Sequence, residues 1–263
     1  MAQFIIGGIL IAAGIFVGLF IPRKIKSKNL EIKFMRTTPI AELKGILSDN
    51  AAAGLDGYRH FVELKGSAGS ESGEKAPFSA KNVAYFNSDL YQVYEETETT
   101  KDDKGVASQH LVKKESHLTN QKSSGIVTIQ DAQSGEKVYF DISQSGLQLD
   151  TSKTLDKFEP VESMRQYSFF NGISYSPLGA RTLGFRMVEN TISLGQALYA
   201  MGDAWLEGAK ILMGKPIDEK KPFILSVRNE TDIVNSNKSG ATVALVFGIL
   251  LAIAGILIMV FVH

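Results

Sequence analysis

Cysteine is absent from all 263 residues. That absence removes disulfides, thiolate nucleophiles and any metal site built on sulfur ligands, while leaving the compartment open. Histidine is almost as scarce. Of four, His60, His110 and His117 lie in the polar middle of the chain and His263 ends it. None stands at the spacing that a zinc site or a Ser-His-Asp arrangement requires. An excess of either charge is also missing, since 28 Lys and Arg balance 28 Asp and Glu, so nucleic acid is not an expected partner.

What the chain does have is two long uncharged apolar runs, residues 4–21 and 241–262. At ~1.5 Å per helical residue each can cross a hydrocarbon core of ~30 Å. The fold class expected is therefore a membrane protein in which N- and C-terminal transmembrane helices, 4–21 and 241–262, flank a β-rich α+β soluble domain, 22–240. The first run does not read as a signal peptide. Its basic residues Arg23, Lys24, Lys26 and Lys28 follow the apolar core instead of preceding it, and Leu19, Phe20 and Ile21 stand where cleavage needs small side chains. These basic residues, with Arg228 and Lys238 before the second run and only His263 after it, place the domain in the cytoplasm and both chain ends outside. Arg23, Lys24, Lys26 and Lys28, with Lys33 and Arg36, either set this topology alone or also meet anionic headgroups, at ~1 kcal/mol per basic side chain.

Between the runs, Pro39 suits the first turn of a short helix over 39–47, with Thr38 as its cap. Residues 58–65 alternate as a strand, with Tyr58, His60, Val62 and Leu64 on one face and Arg59, Phe61, Glu63 and Lys65 on the other. Gly66 is expected to end it, opening a small, polar loop over 66–76. Residues 83–95 and 108–118 read as strands of a long hairpin, and the charged run 95–105, which contains nothing apolar before Val106, reads as its tip. A second hairpin is expected over 125–131 and 137–142, a third β region over 183–213, and a last strand over 223–227. Short strands joined by such turns suggest a small barrel or sandwich of two lobes.

Few residues invite a site. Arg186 and Glu189 interrupt the apolar stretch of Leu183, Phe185, Met187 and Val188. Their odd spacing puts them on opposite strand faces, so one charge faces inward and needs a partner. Either the inward charge is a satisfied carboxylate that fixes the strand in place, or Arg186 and Glu189 are binding residues, Glu189 above all. Gly14 and Gly18 on the first run, and Ala244, Gly248 and Ala252 on the second, form small-residue stripes that let helices approach closely in lipid. Tyr167, Tyr199 and Trp205 read as packing aromatics. Residues 208–215 fail as a phosphate-binding loop, because Pro216 stands where Ser or Thr must hold magnesium. The glycosylation triplet Asn229-Glu230-Thr231 has no role in a cytosolic domain.

Four stretches carry a resemblance. They are Gly57-Tyr-Arg-His-Phe-Val-Glu-Leu-Lys-Gly66, residues 76–94, the hairpin holding Asp131, Gly135 and Val138, and Gly184-Phe-Arg-Met-Val-Glu189 with Ile192, Gly195, Leu198, Tyr199 and Gly202 before Pro222-Phe-Ile-Leu-Ser226. Together they resemble the GIDE domain, also called the BAM (beside a membrane) domain, of mitochondrial membrane-anchored RING ubiquitin ligases and their prokaryotic relatives. Those ligases follow the second span with a RING that holds two zinc ions. This sequence, with no cysteine and one residue after its second run, resembles a prokaryotic-type relative lacking the RING. The resemblance then implies an inner-membrane protein without ligase chemistry or a cofactor. Its expected role is a membrane-tethered interaction or scaffold module, with the membrane, an unidentified protein and a second copy of the chain as partners. The alternatives are a membrane effector of a stress or defence response acting through its two helices, and an unrecognised enzyme.

Overall fold

The computed structural model describes residues 2–261 except 56, 72, 102–104, 124, 168–169, 171–172, 174, 176–178 and 180. Val262 and His263 thus lie outside the described residues. The N-terminal apolar run forms α1 (Ala2–Ile15), passes through one π-helical turn (Phe16–Phe20) and continues without a break as α2 (Ile21–Phe34). Pro22 explains the π turn. Proline lacks an N–H and presses on the carbonyl one turn back, and winding the preceding turn more loosely relieves both problems. Helix α2 carries on through the whole basic cluster. After α3 (Ile40–Ala52) and the β domain, α4 (Glu230–Phe261) likewise starts well before the apolar run. Both helices are long and apolar enough to cross a membrane.

Twelve strands lie between them among the described residues. The first six are β1 (His60–Ser70), β2 (Glu74–Lys75), β3 (Asn82–Lys101), β4 (Ala107–Lys122), β5 (Ile126–Gln130) and β6 (Lys137–Asp141). The rest are β7 (Gln148–Asp150), β8 (Ser152–Pro160), β9 (Arg181–Ser193), β10 (Ala197–Glu207), β11 (Lys210–Gly214) and β12 (Ile224–Ser226). Strands β1, β5, β6, β11 and β10 close into a five-stranded barrel, because β10 returns to pair with β1. Strands β12 and β7 extend the sheet from the free half of β10. A second sheet, curved as a half barrel, is built on β3, flanked by β9 and β8 on one side and by β2 and β4 on the other.

Closing a barrel buries one side chain in two along each strand. Val62, Leu64, Ile129, Val138, Phe140, Ala200 and Met213 fill the interior, and Ile40, Leu43 and Leu47, one face of α3, plug one end. The helix extensions cover the barrel from outside. Ile32, Ile233 and Val234 pack against Tyr199, Met201 and Ile224 in a separate cluster. The anchors are therefore continuous with the domain core.

The class read from the sequence holds, and of barrel and sandwich the barrel is realised. Three local expectations change. Gly66 does not end β1. A Cβ there would lie 2.6 Å from the Gln130 carbonyl oxygen, so glycine is what lets β1 cross from β10 onto β5 and run on to Ser70. Thr38 does not cap α3; its N–H donates to the Glu63 carbonyl at 2.9 Å instead. The charged run is mostly strand. Glu95–Lys101 pairs with β4 as a two-stranded ribbon, since high polarity excludes burial but not backbone pairing, and Lys114 lies 2.6 Å from Glu96 and 2.8 Å from Glu98. Residues 102–104 of the expected tip lie outside the described residues.

Candidate functional site at the membrane-proximal junction

The two spans meet along one antiparallel register. Gly14 faces Gly248 and Ala252, Gly18 faces Gly248, and Gly7 faces Gly255 and Met259. A Cβ on Gly14 would lie 2.5 Å from the Gly248 carbonyl oxygen, and one on Gly248 2.5 Å from the Gly18 nitrogen. One added at Gly18 would meet nothing closer than 3.5 Å. Gly14, Gly18, Gly248 and Ala252 are thus brought together; Ala244 is half-buried one turn below. Gly7 and Gly255 extend the seam and were missed because the small-residue spacing was followed only from Gly14. The same register continues beyond the apolar runs, where Asn237 Nδ2 donates to Asn29 Oδ1 at 2.9 Å.

Below that clasp lies the densest buried polar cluster near the membrane. Glu63 is wholly buried on β1. Tyr199 of β10 donates its hydroxyl to Glu63 Oε2 at 2.9 Å, and Lys65 Nζ lies 3.1 Å from Oε1, which Thr37 also hydrogen-bonds. Lys65 further donates to Thr37 Oγ1 at 2.9 Å and lies 3.9 Å from Glu230 in the first turn of α4. One carboxylate therefore ties together the link after α2, the barrel wall and the start of α4. Burial, and then the adjacent Glu63, push the Tyr199 hydroxyl far above its ordinary range, so it stays protonated and donates. A cavity of about 370 Å³ adjoins this cluster and is lined by Lys65, Tyr199, Arg228 and Asn229. Its two cations are already matched: Lys65 pairs with Glu63, and Arg228 pairs with Asp150, which also accepts from Ser226 Oγ at 3.0 Å. Asn229 caps α4 by accepting from the Asp232 N–H at 2.9 Å, which is the structural use of the supposed glycosylation triplet.

Glu63 was assigned to a strand face opposite Val62 and Leu64. That alternation is correct, but the outer face of β1 is itself covered, by the stalk of the two helices, and nothing in the local sequence marks that cover.

Arg186 and Glu189 lie on opposite faces of β9 and do not form one site. Glu189 is wholly buried and accepts from the Phe78 N–H at 3.0 Å, the Ser79 N–H at 3.3 Å and the Ser79 hydroxyl. It holds the turn that leads into β3. Arg186 is on the open face, where it forks onto Asp156 at 2.7 and 2.8 Å and reaches Glu115 at 3.1 Å. The Arg186 guanidinium, with Lys153, holds the Asp156 carboxyl well below the usual range.

The aromatics are scattered. Trp205 lies under Arg59, 4.1 Å from its guanidinium carbon, and Tyr167 donates to Glu159 at 2.7 Å in the second sheet. His117 hydrogen-bonds Asp89 at 3.0 Å, and His60 contacts Tyr58 at 3.1 Å. Residues 208–215 form a turn and strand β11. Arg23, Lys24 and Lys26 are exposed and Lys28 is half-buried on α2. Among the described residues no group of three or more His, Asp or Glu side chains is placed to hold a metal ion.

No curated protein and no solved structure gives a significant match. The GIDE family, described as E3 Ubiquitin ligase, matches residues 95–260. That segment runs from the β3–β4 ribbon through both sheets into α4, and stretches 57–66 and 76–94 precede it. It spans more than half of the chain, with strands β9 and β10 near its middle and the second apolar helix at its end, and on that basis the chain belongs to the GIDE family.

Proposed function

We propose that this chain is a membrane-tethered interaction or scaffold module, a GIDE domain that works without ubiquitin ligase chemistry. The observation that carries the reading is the junction. Two paired helices extend beyond the apolar runs onto the outside of the barrel and are locked there by Asn29–Asn237, Glu63–Tyr199 and the Ile32–Ile233 cluster, which supports a domain held at a fixed pose beside the bilayer. The chain has no cysteine, and among the described residues His60 and His117 are hydrogen-bonded and His110 is exposed, which supports a domain without a zinc cross-brace. The basic residues on the domain side of both spans support a cytoplasmic domain at a prokaryotic inner membrane, with both ends outside.

Among the described residues strand β4 bonds only to β3, which leaves its outer edge as the natural place for an extended partner to add a strand. The effector alternative is less well supported. Exposed side chains along both spans are Ile, Leu, Phe and Val, which suit lipid contact in a plain anchor better than a water-filled pore. Two assays test the reading. Purified full-length protein should not accelerate discharge of a ubiquitin-loaded conjugating enzyme, and overproduction should leave the membrane potential intact. Accelerated discharge would make it a ligase, and depolarisation would make it an effector.

A further inference from the structure

We infer that the cleft between α2 and α4, just below the apolar spans, is a binding site for one anionic glycerophospholipid. The cleft has a volume of about 480 Å³ and a floor of Ile25, Leu30 and Val234. Three lysines, Lys26 and Lys33 from α2 and Lys238 from α4, stand around it. Among the described residues none of the three has a carboxylate within ion-pairing distance of 4.0 Å. Three lysines without an ion-pair partner line a cleft with an apolar floor, and an anion with an apolar tail satisfies both features at once.

Position decides which anion. Pro22 and Ala241 close the upper end of the cleft, where the apolar runs end. Lys26 lies one helical turn from Pro22, and Lys238 lies the same distance from Thr242 on the antiparallel helix, so the Cα atoms of both lie ~6 Å below the ends of the apolar runs. That is headgroup depth. A phosphodiester between Lys26 and Lys238 leaves its polar headgroup beside Lys33 and its acyl chains directed up past Pro22 onto the lipid-facing surface of the spans. The clasp of Asn29 and Asn237 keeps the helices at the spacing that forms the cleft. The remaining basic residues are not part of it. Arg23, Lys24 and Lys28 do not line the cleft, and Lys24 acts on Glu219 in the loop after β11. The inference is independent of the scaffold reading, since a ligase or an effector would hold the same lipid.

The test uses the full chain purified in detergent and exposed to an equimolar mixture of phosphatidylglycerol and phosphatidylcholine, with retained lipid read by native mass spectrometry. Wild type should keep one phosphatidylglycerol in preference to phosphatidylcholine. The variant Lys26→Gln/Lys33→Gln/Lys238→Gln should lose that preference by about a hundredfold, given roughly fivefold per lysine. The single variant Lys238→Gln provides the same comparison with a smaller change. Arg23→Gln/Lys24→Gln/Lys28→Gln should bind as wild type does. Soluble glycerol phosphate should fail to compete. No preference in wild type, an equal loss in both triple variants, or full competition by glycerol phosphate would each overturn the inference, the last by showing a phosphate site instead of a lipid site.

Discussion

Glu63 and Glu189 are both wholly buried carboxylates, and they meet the cost of burial differently. Glu63 answers it with a lysine and two hydroxyls, Glu189 with backbone N–H groups and a serine. Losing Glu189 strands two donors of a turn, at ~1–3 kcal/mol each, so Glu189→Ala should destabilise the protein by about 3 kcal/mol. Arg186→Ala should cost under about 1 kcal/mol, because its ion pairs face solvent. Thermal unfolding of the full chain in detergent separates them, and equal Tm shifts would contradict this ranking. Tyr199 carries a pH dependence. Its hydroxyl titrates higher folded than unfolded, so the contribution is complete below the unfolded value of ~10 and falls as pH rises above it. Wild-type Tm should drop from about pH 10 upward, and Tyr199→Phe should be less stable at neutral pH by about 1 kcal/mol but lose less on going alkaline. A parallel alkaline slope in both proteins would remove Tyr199 as a cause. That Arg186 and Glu189 take opposite faces was readable from strand period alone. The burial of Glu63 was not, because it depends on helices distant in sequence.

At the scale of elements, the structure ranks the glycines of the helix seam. A methyl on Gly248 or Gly14 strikes the partner backbone, whereas one on Gly18 finds ordinary van der Waals room. With Gly8→Cys and Met259→Cys as reporters, since a Cβ on Gly8 would lie 3.7 Å from Cε of Met259, oxidative cross-linking in native membranes should persist in Gly18→Ala and fall severalfold in Gly248→Ala. Gly248→Leu should abolish it. Undiminished cross-linking in Gly248→Leu would mean the spans pair through other faces. The apolar runs and the hairpins over 82–122 and 126–141 were visible in the sequence, since hydropathy and two-residue alternation are local properties. Element ends were less visible. The basic cluster after Ile21 marks the end of lipid, not of helix, and Gly66 marks a close crossing, not a turn.

For the whole molecule, the open question with the widest consequence is which side of the membrane carries the barrel. The helix pair fixes only that both chain ends lie on the side opposite the domain. We propose that charge sets the side: Arg23, Lys24, Lys26, Lys28 and Lys238 crowd the domain ends of the spans, and such residues resist translocation. The β3–β4 ribbon supplies a clean reporter, because Thr99 is exposed on it and no native cysteine competes for a thiol reagent. In intact cells Thr99→Cys should resist a membrane-impermeant maleimide and react fully once the membrane is permeabilised, in step with a cytosolic control. Replacing the five basic residues with Gln should weaken that protection, since the same charges that would hold a lipid also hold the topology. Labelling of Thr99→Cys in intact cells while the control stays dark would place the barrel outside, and would move its partners to that compartment.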